Sequence, residues 1–246
     1  MGFRRKESSK PVYKTISFET HTQSVDVVFR PSYRAKSFRL THAKKGLHFI
    51  LTYPSYVSEV DAFEFLGEQK KWIDETLKEL PQKIQIQFDQ PFSFFGKDWV
   101  LVRDSLRRRG VYPADGKLFL NPSYLDIEKV LVSFLKQEAL SFFQETSKEY
   151  AEKLGVQFSK VAVRDNSTRW GSCSSAQHLS YSWRLGFAPV HVARYVVAHE
   201  IAHLKYMDHS PLFWETVGQM DPKYKRNKSW LKKEGSSLMM TSFDLL

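Results

Sequence analysis

The alternation of apolar and polar residues in the first part of the chain is typical of short β-strands. Four segments carry this pattern: Thr15 to Glu19, Val25 to Arg30, Lys36 to Thr41 and Leu47 to Tyr53. They are rich in β-branched and aromatic residues, and turn-forming residues separate them. We therefore predict a small antiparallel sheet in this part of the chain.

Between Ser58 and Leu80 the apolar residues recur at a helical period, which predicts one amphipathic helix. Its apolar face is expected to carry Val60, Phe63, Leu66, Trp72 and Leu77. A second group of strands is predicted at Phe92 to Phe95, Trp99 to Arg103 and Leu118 to Leu120, with Asp115-Gly116 as a turn. The pattern changes at Asn121-Pro122, so residues 1–121 are predicted to form a β-rich amino-terminal lobe with one helix.

Residues 122–246 are expected to be mostly helical, which makes the fold α+β. A long amphipathic helix is predicted from Leu125 to Leu154, and Gly155 stands where helices commonly end. Val161 to Arg164 and Leu179 to Phe187 are typical of two strands on either side of a polar loop. Pro189 then begins another helix, which the pattern extends to Met207.

The composition narrows the class of protein. No apolar run approaches the roughly 18 residues that cross a bilayer, and the single cysteine, Cys173, cannot form an internal disulfide. We therefore expect a cytoplasmic protein with no membrane partner. The net charge of +10, to which the run Arg107 to Arg109 contributes, favours anionic partners without saying which.

The helix that begins at Pro189 carries the candidate chemistry. Its apolar residues surround it on nearly every side, so His199 and His203 point into the interior with Glu200 close beside them. Two imidazoles and a carboxylate are costly in an apolar setting unless something pairs with them. A bound divalent cation removes that cost.

The spacing of these residues favours zinc. Histidines four positions apart lie one turn apart and converge on one ion, while the glutamate between them is held beside the metal as a general base. The alternative is a pair of core histidines bonded to backbone groups, with Glu200 on the surface. The hypothesis that follows is a zinc-dependent hydrolase in which Glu200 takes a proton from a water that the metal activates.

A third ligand is expected at His209, six residues beyond His203. The helix must end before it for the chain to turn back, and Ser210-Pro211 is typical of a new helix start directly after it. Glu215 and Asp208 are the alternative ligands, and Cys173 is a further one because thiolate binds zinc well.

Several separated motifs also resemble one protein family. They are Arg169 to Ser174, Trp183 to Leu185, Ala188-Pro189, His199 to Leu204, His209-Ser210, Phe213-Trp214 and Trp230-Leu231, with Leu51 to Pro54 and Lys71 to Ile73 in the first half. In this order they are similar to the YgjP-like metal-dependent hydrolases, relatives of the SprT-like zinc metallopeptidases. The resemblance implies a minimal zincin fold in residues 122–246, with the metal helix on a small sheet, three histidine ligands and Glu200 as base.

The loop from Arg169 to Ser174 has two interpretations. Its small polar residues could face the site as a substrate-binding edge, or they could form a structural turn with Trp170 and Trp183 packed in the core. Tyr181, Tyr224 and Arg169 are equal candidates for stabilising an oxyanion.

Three functions stay open at this point. The metal motif and the resemblance favour hydrolysis of a peptide or protein substrate, with an extended chain held at a strand edge. The positive charge suits a small anionic substrate, which would be hydrolysed at a phosphoanhydride bond of a nucleotide. The third function is a nucleic-acid-associated protein with a structural zinc, which requires a closed site of four ligands.

Overall fold

The computed structural model describes residues 13–43, 48–80, 84–106 and 110–245. The chain divides into two compact units, Met1–Leu80 and Pro81–Leu246. The basic run Arg107 to Arg109 lies outside the described residues.

The first unit contains a four-stranded mixed sheet. Its strands are β1 (Lys14–Glu19), β2 (Ser24–Ser32), β3 (Arg39–His42) and β4 (His48–Pro54), in the order β1-β2-β4-β3. The predicted antiparallel sheet is wrong in one pairing, because β2 and β4 run parallel. The reason lies in β4, whose buried side chains Phe49, Leu51 and Tyr53 favour a central place, while the more exposed β3 takes the edge.

Two helices cover one face of this sheet, where the sequence predicted one. They are α1 (Glu59–Glu68) and α2 (Lys70–Glu79), and Ser58 caps α1 by accepting a hydrogen bond from the N–H of Asp61. The break at Gln69 changes the phase of the apolar stripe. Leu66 and Ile73 are buried against the sheet, while Val60, Phe63 and Trp72, which were predicted on the apolar face, are exposed.

The second unit begins with two sheets. Strand β5 (Gln85–Gln87) pairs with β13 (Ser242–Asp244), and β6 (Pro91–Phe94), β7 (Lys97–Arg103), β8 (Tyr112–Ala114) and β9 (Lys117–Leu120) form a sheet in the order β6-β7-β9-β8. The predicted Asp115-Gly116 turn is confirmed, with positive φ at both residues, as a two-residue hairpin requires.

The division of the chain after Leu80 differs from the predicted boundary at residue 121. Leu101 and Leu118, on β7 and β9, belong to the same apolar cluster as Leu131 and Leu135 of the long helix. Because these strands bury their side chains in the same core as that helix, they belong with the carboxy-terminal residues. A change in local sequence pattern marks a change of secondary structure here, and the core continues across it.

The long helix and the elements after it complete the second unit. Helix α3 (Ile127–Leu154) ends at Gly155 in the left-handed conformation, as predicted. A three-stranded sheet of β10 (Lys160–Arg164), β12 (His178–Ser182) and β11 (Gly171–Cys173) follows, in that order in space, and then a 3-10 helix over Trp183–Phe187. Helices α4 (Val190–Ala202), α5 (Pro211–Met220) and α6 (Tyr224–Met239) come last.

The α+β fold is confirmed. Helix α4 lies at the centre of the second unit, in contact with α3, α5, α6 and β11. Strand β11, within the polar loop, was not predicted. Across the described part of the chain, no helix combines the length and the apolar character of a membrane-spanning segment.

Candidate metal centre

Helix α4 is buried nearly all round, as its sequence predicts. Val192, Val196 and Val197 are inaccessible or nearly so, whereas His191 at its start is exposed. The helix ends at Ala202, five residues before the predicted end at Met207. Two overlapping tight turns follow the helix, in which the N–H groups of Lys205 and Tyr206 both donate to the carbonyl of Ala202.

This early end brings the third histidine back to the other two. Ser210 is the N-cap of α5 and Pro211 its first residue, so the chain reverses between α4 and α5 over the residues that include His209. The candidate ligand atoms of His199, His203 and His209 all lie within 4.8 Å of one another. We call these three residues the histidine trio.

The spacing within the histidine trio fits a tetrahedral ion. The Nε2 atoms of His199 and His209 are 3.2 Å apart. Two nitrogen ligands about 2.0–2.1 Å from a tetrahedral zinc are separated by about 3.3 Å. Two imidazole lone pairs repel each other at such a distance unless a proton or a cation lies between them.

The protonation of two of these rings also suits a metal ligand. Burial, with the neighbouring His203 and His209 rings and Lys228, lowers the pKa of His199 to about 3. Burial likewise lowers the pKa of His203. Both rings are therefore neutral at neutral pH, the form of imidazole that binds metals.

A backbone contact orients the second ring. Nδ1 of His203 lies 3.0 Å from the carbonyl oxygen of Tyr206, so its N–H donates there and Nε2 keeps its lone pair. Nδ1 of His199 is buried with no hydrogen-bond partner among the described residues.

Aromatic rings from α5 support the trio. Phe213 is fully buried, and its ring centroid lies 4.6–4.9 Å from those of all three histidines. The ring centroid of Trp214 lies 5.7 Å from those of His199 and His209. Apolar packing of this kind restricts the rotamers of the imidazoles and keeps their positions fixed.

Glu200 lies beside the trio on the same helix and is only 5% exposed. Burial raises the pKa of its carboxyl group to about 8, although the charge of Arg169 and a hydrogen bond from the N–H of Cys173 act in the opposite direction. A carboxyl group whose pKa lies near neutrality can both accept and return a proton.

The other predicted ligands do not join the trio. Neither Asp208 nor Glu215 contributes an atom to the group of candidate ligands, and both side chains are exposed. Cys173 also stands outside it. Burial and the charge of Glu200 raise the pKa of this thiol to about 11, so the thiolate form is disfavoured.

Gly171 on β11 is a site residue whose role the sequence did not indicate. A Cβ atom at this position would lie 2.5 Å from Oε1 of Glu200 and 2.7 Å from its Cγ. Only glycine therefore lets β11 approach the buried carboxylate so closely. The glycine in the loop was visible in the sequence, but its contact depends on the register between β11 and β12.

Replacing Gly171 by Ala is expected to displace the carboxylate of Glu200 and to lower kcat by about 10-fold or more, since small misplacements of a catalytic group are costly. The metal content should not change. Gly218→Ala on α5 is the matched control, because a Cβ there meets only ordinary contacts at 3.7 Å or more. Equal kcat for the two variants would contradict the role of Gly171.

The loop around β11 combines both of its predicted interpretations. Trp183 is buried and Arg184 is structural, because its guanidinium group bonds to Asp165 at 2.8 Å and reaches the carbonyls of Leu238 and Thr241. Arg169 is exposed, yet its charge acts on Glu200. Within the loop itself, Trp170 packs against the core, while Arg169 acts on the site through its charge.

The oxyanion candidates are no longer equivalent. Tyr181 is fully buried, and its hydroxyl lies 3.1 Å from that of Ser147, so it faces the core. Tyr224 is half-buried and stacks on Trp214 at 5.4 Å. Of the predicted residues, Arg169 and Tyr224 remain candidates.

A groove of about 430 Å³ adjoins Trp214. Its lining comprises two aromatic and four polar residues: Trp214, Tyr224, Lys225, Lys228, Ser229 and Lys232. The ammonium group of Lys228 lies 4.0 Å above the indole ring. The groove is therefore cationic. It adjoins the trio, because the indole ring of Trp214 lines the groove and also lies beside His199 and His209.

Comparison with known proteins gives the family. No curated protein matches the chain. The crystal structure of the metallopeptidase zymogen abylysin from Pyrococcus abyssi is similar to 37% of this chain and 93% of its own, with 21% identity and a TM-score of 0.34. The YgjP-like family, through its metallopeptidase domain, matches residues 36–234. Since this range makes up most of the 246 residues, the chain belongs to the YgjP-like metallopeptidase family and is a metal-dependent hydrolase.

Proposed function

We propose that this chain is a zinc-dependent peptidase in which His199, His203 and His209 hold the ion and Glu200 is the general base. The observation that carries the proposal is the convergence of three imidazoles, two of their Nε2 atoms 3.2 Å apart, beside a carboxylate that is not part of their group. Neutral imidazoles in a tetrahedral arrangement suit zinc better than the oxygen-binding cations magnesium and calcium.

The described residues offer three nitrogen ligands and no fourth side chain in the same group. Three protein ligands with one open position are typical of catalytic zinc, whereas structural sites have four. This difference favours hydrolysis over a nucleic-acid-associated protein with a structural zinc.

Bound zinc would lower the pKa of a water molecule and polarise the carbonyl group under attack. Glu200 would accept the proton of the attacking water and later return it to the leaving amine. The N–H of Cys173 holds the carboxylate in place, and Gly171 gives it room.

Strand β11 offers a place for an extended substrate. It is an edge strand of its sheet and lies against α4. An extended peptide can bind at such an edge through main-chain hydrogen bonds. This arrangement supports a peptide or protein as substrate.

A nucleotide is the second candidate substrate, and the lysines of the groove beside Trp214 favour it. Lys225, Lys228 and Lys232 could bind phosphate oxygens, after which the same base would serve for attack on a phosphoanhydride. The two functions share the metal and Glu200, and they differ in the bond that is cleaved.

Assays of the purified protein on casein and on a nucleoside triphosphate panel separate these functions. We expect casein cleavage that a zinc chelator abolishes and added zinc restores, with no release of phosphate or pyrophosphate from nucleotides. Metal-dependent nucleotide hydrolysis without casein cleavage would overturn the peptidase proposal in favour of the second candidate.

A further inference from the structure

We propose that the amino-terminal unit binds single-stranded nucleic acid in a cationic pocket on the open face of its sheet. The pocket has a volume of about 520 Å³, and its lining includes Arg30, Ser32, Arg34, Lys36, Arg39 and Thr52. This site is distinct from the histidine trio, which belongs to the second unit.

The strand register places two of the arginines side by side. Arg30 of β2 and Arg39 of β3 are both paired with Thr52 of the strand between them, β4. Residues directly opposite in a sheet share one face, with Cβ atoms about 4.5–5.5 Å apart. Arg30 and Arg39 therefore flank Thr52 in one row across three strands.

This row lies on the face that the helices leave open. Phe29 and Leu51, which precede Arg30 and Thr52 in their strands, point to the opposite face and are buried with Leu66 and Ile73 of the helices. The exposed turn between β2 and β3 adds Arg34 and Lys36 to the same pocket.

The four cations of the pocket form no ion pair with a carboxylate of the described residues. Like charges gathered in one pocket repel each other, and an anionic ligand removes that repulsion. The planar guanidinium groups bind phosphate in a bidentate way, and the hydroxyls of Ser32 and Thr52 are further donors to phosphate oxygens. The chemistry of the pocket thus points to phosphate groups.

Two exposed tyrosines at the rim favour single strands as the source of the phosphates. Tyr33, between two residues of the pocket, is 97% exposed, and Tyr56 is 81% exposed. Their turns adjoin, since the N–H of Ser55 donates to the carbonyl of Ser32. Bases of a single strand can stack on such rings, whereas those of a duplex are already stacked on each other.

The test measures binding of a fluorescent single-stranded oligonucleotide to the full chain by anisotropy, at several salt concentrations. We expect Arg30→Gln with Arg39→Gln to weaken binding at least 10-fold and to reduce the slope of log K against log salt by about 0.7 per lost phosphate contact. Lys71→Gln with Lys78→Gln is the matched control, because these exposed lysines lie on α2 and carry the same charge. The control should bind as the unmodified chain does.

Two further variants keep the test decisive. Arg34→Gln with Lys36→Gln changes only the turn, so it serves if the sheet variant fails to fold, and it should also weaken binding. Tyr33→Ala with Tyr56→Ala should weaken single-strand binding several-fold with little change in salt dependence. Equal affinity of the arginine variant and its control, or tighter binding of duplex than of single strands, would overturn the proposal.

Discussion

Replacing Glu200 by Gln is expected to lower turnover by about 10²–10⁴-fold, the usual contribution of a general base. The amide has nearly the volume of the carboxylate and keeps an oxygen for the N–H of Cys173, so β11 and α4 should stay in place. It cannot accept the proton of the attacking water. Steady-state turnover and zinc content, measured on the same preparation, check both halves of this expectation.

Glu215→Gln is the matched control for this experiment. It makes the same exchange at an exposed carboxylate of α5, outside the histidine trio, and should preserve both turnover and zinc. Full activity of the Glu200 variant would mean that another group is the base. Loss of zinc from that variant would mean that Glu200 is itself a ligand.

Removing a member of the trio should have a different signature. His203→Ala is expected to lose the metal, all measurable metal-dependent activity and the stabilisation that the metal gives to the folded state. That stabilisation amounts to about 4 kcal/mol when free zinc exceeds its dissociation constant 1,000-fold. The unmodified protein should therefore melt at a clearly lower temperature after a chelator is added, while the variant should melt at the same temperature with and without it.

His191→Ala controls for substitution within the same helix. His191 is exposed at the start of α4, so its replacement should leave zinc binding and the effect of the chelator unchanged. The His203 variant also lacks the hydrogen bond from His203 to Tyr206. The stability lost for this reason is the same with and without chelator, so it cancels when each protein is compared with itself. If the His203 variant still bound one zinc ion per chain, His203 would not be a ligand.

The elements set by local patterns were predictable. Helix α4 and the turn back to His209 follow from apolar residues on every side of a helix and from Ser210-Pro211 as a helix start. The end of α3 at Gly155 follows from the one residue type that adopts positive φ easily. In each case the signal lies within a few residues of the feature that it predicts.

The elements that depend on distant partners were not predictable. Strand β11 has only three residues and exists because β12 pairs with it, and the parallel pairing of β2 with β4 depends on which strand takes the central place in the sheet. The cationic pocket depends on the register of β2, β3 and β4, and the fit of Gly171 against Glu200 depends on the register of β11 and β12. The sequence pattern shows which residue types are available for these contacts, but it does not show which distant residues they will contact.

The division after Leu80 bears on where gene recombination can cut this chain without disrupting its core. A gene breakpoint near residue 81 keeps the apolar cluster of the second unit whole, whereas one at residue 121 would separate Leu101, Leu118 and Leu120 from α3. The side chains exposed by the second cut would promote aggregation. Recombination that transfers the histidine trio together with the strands that precede α3 therefore keeps its core whole.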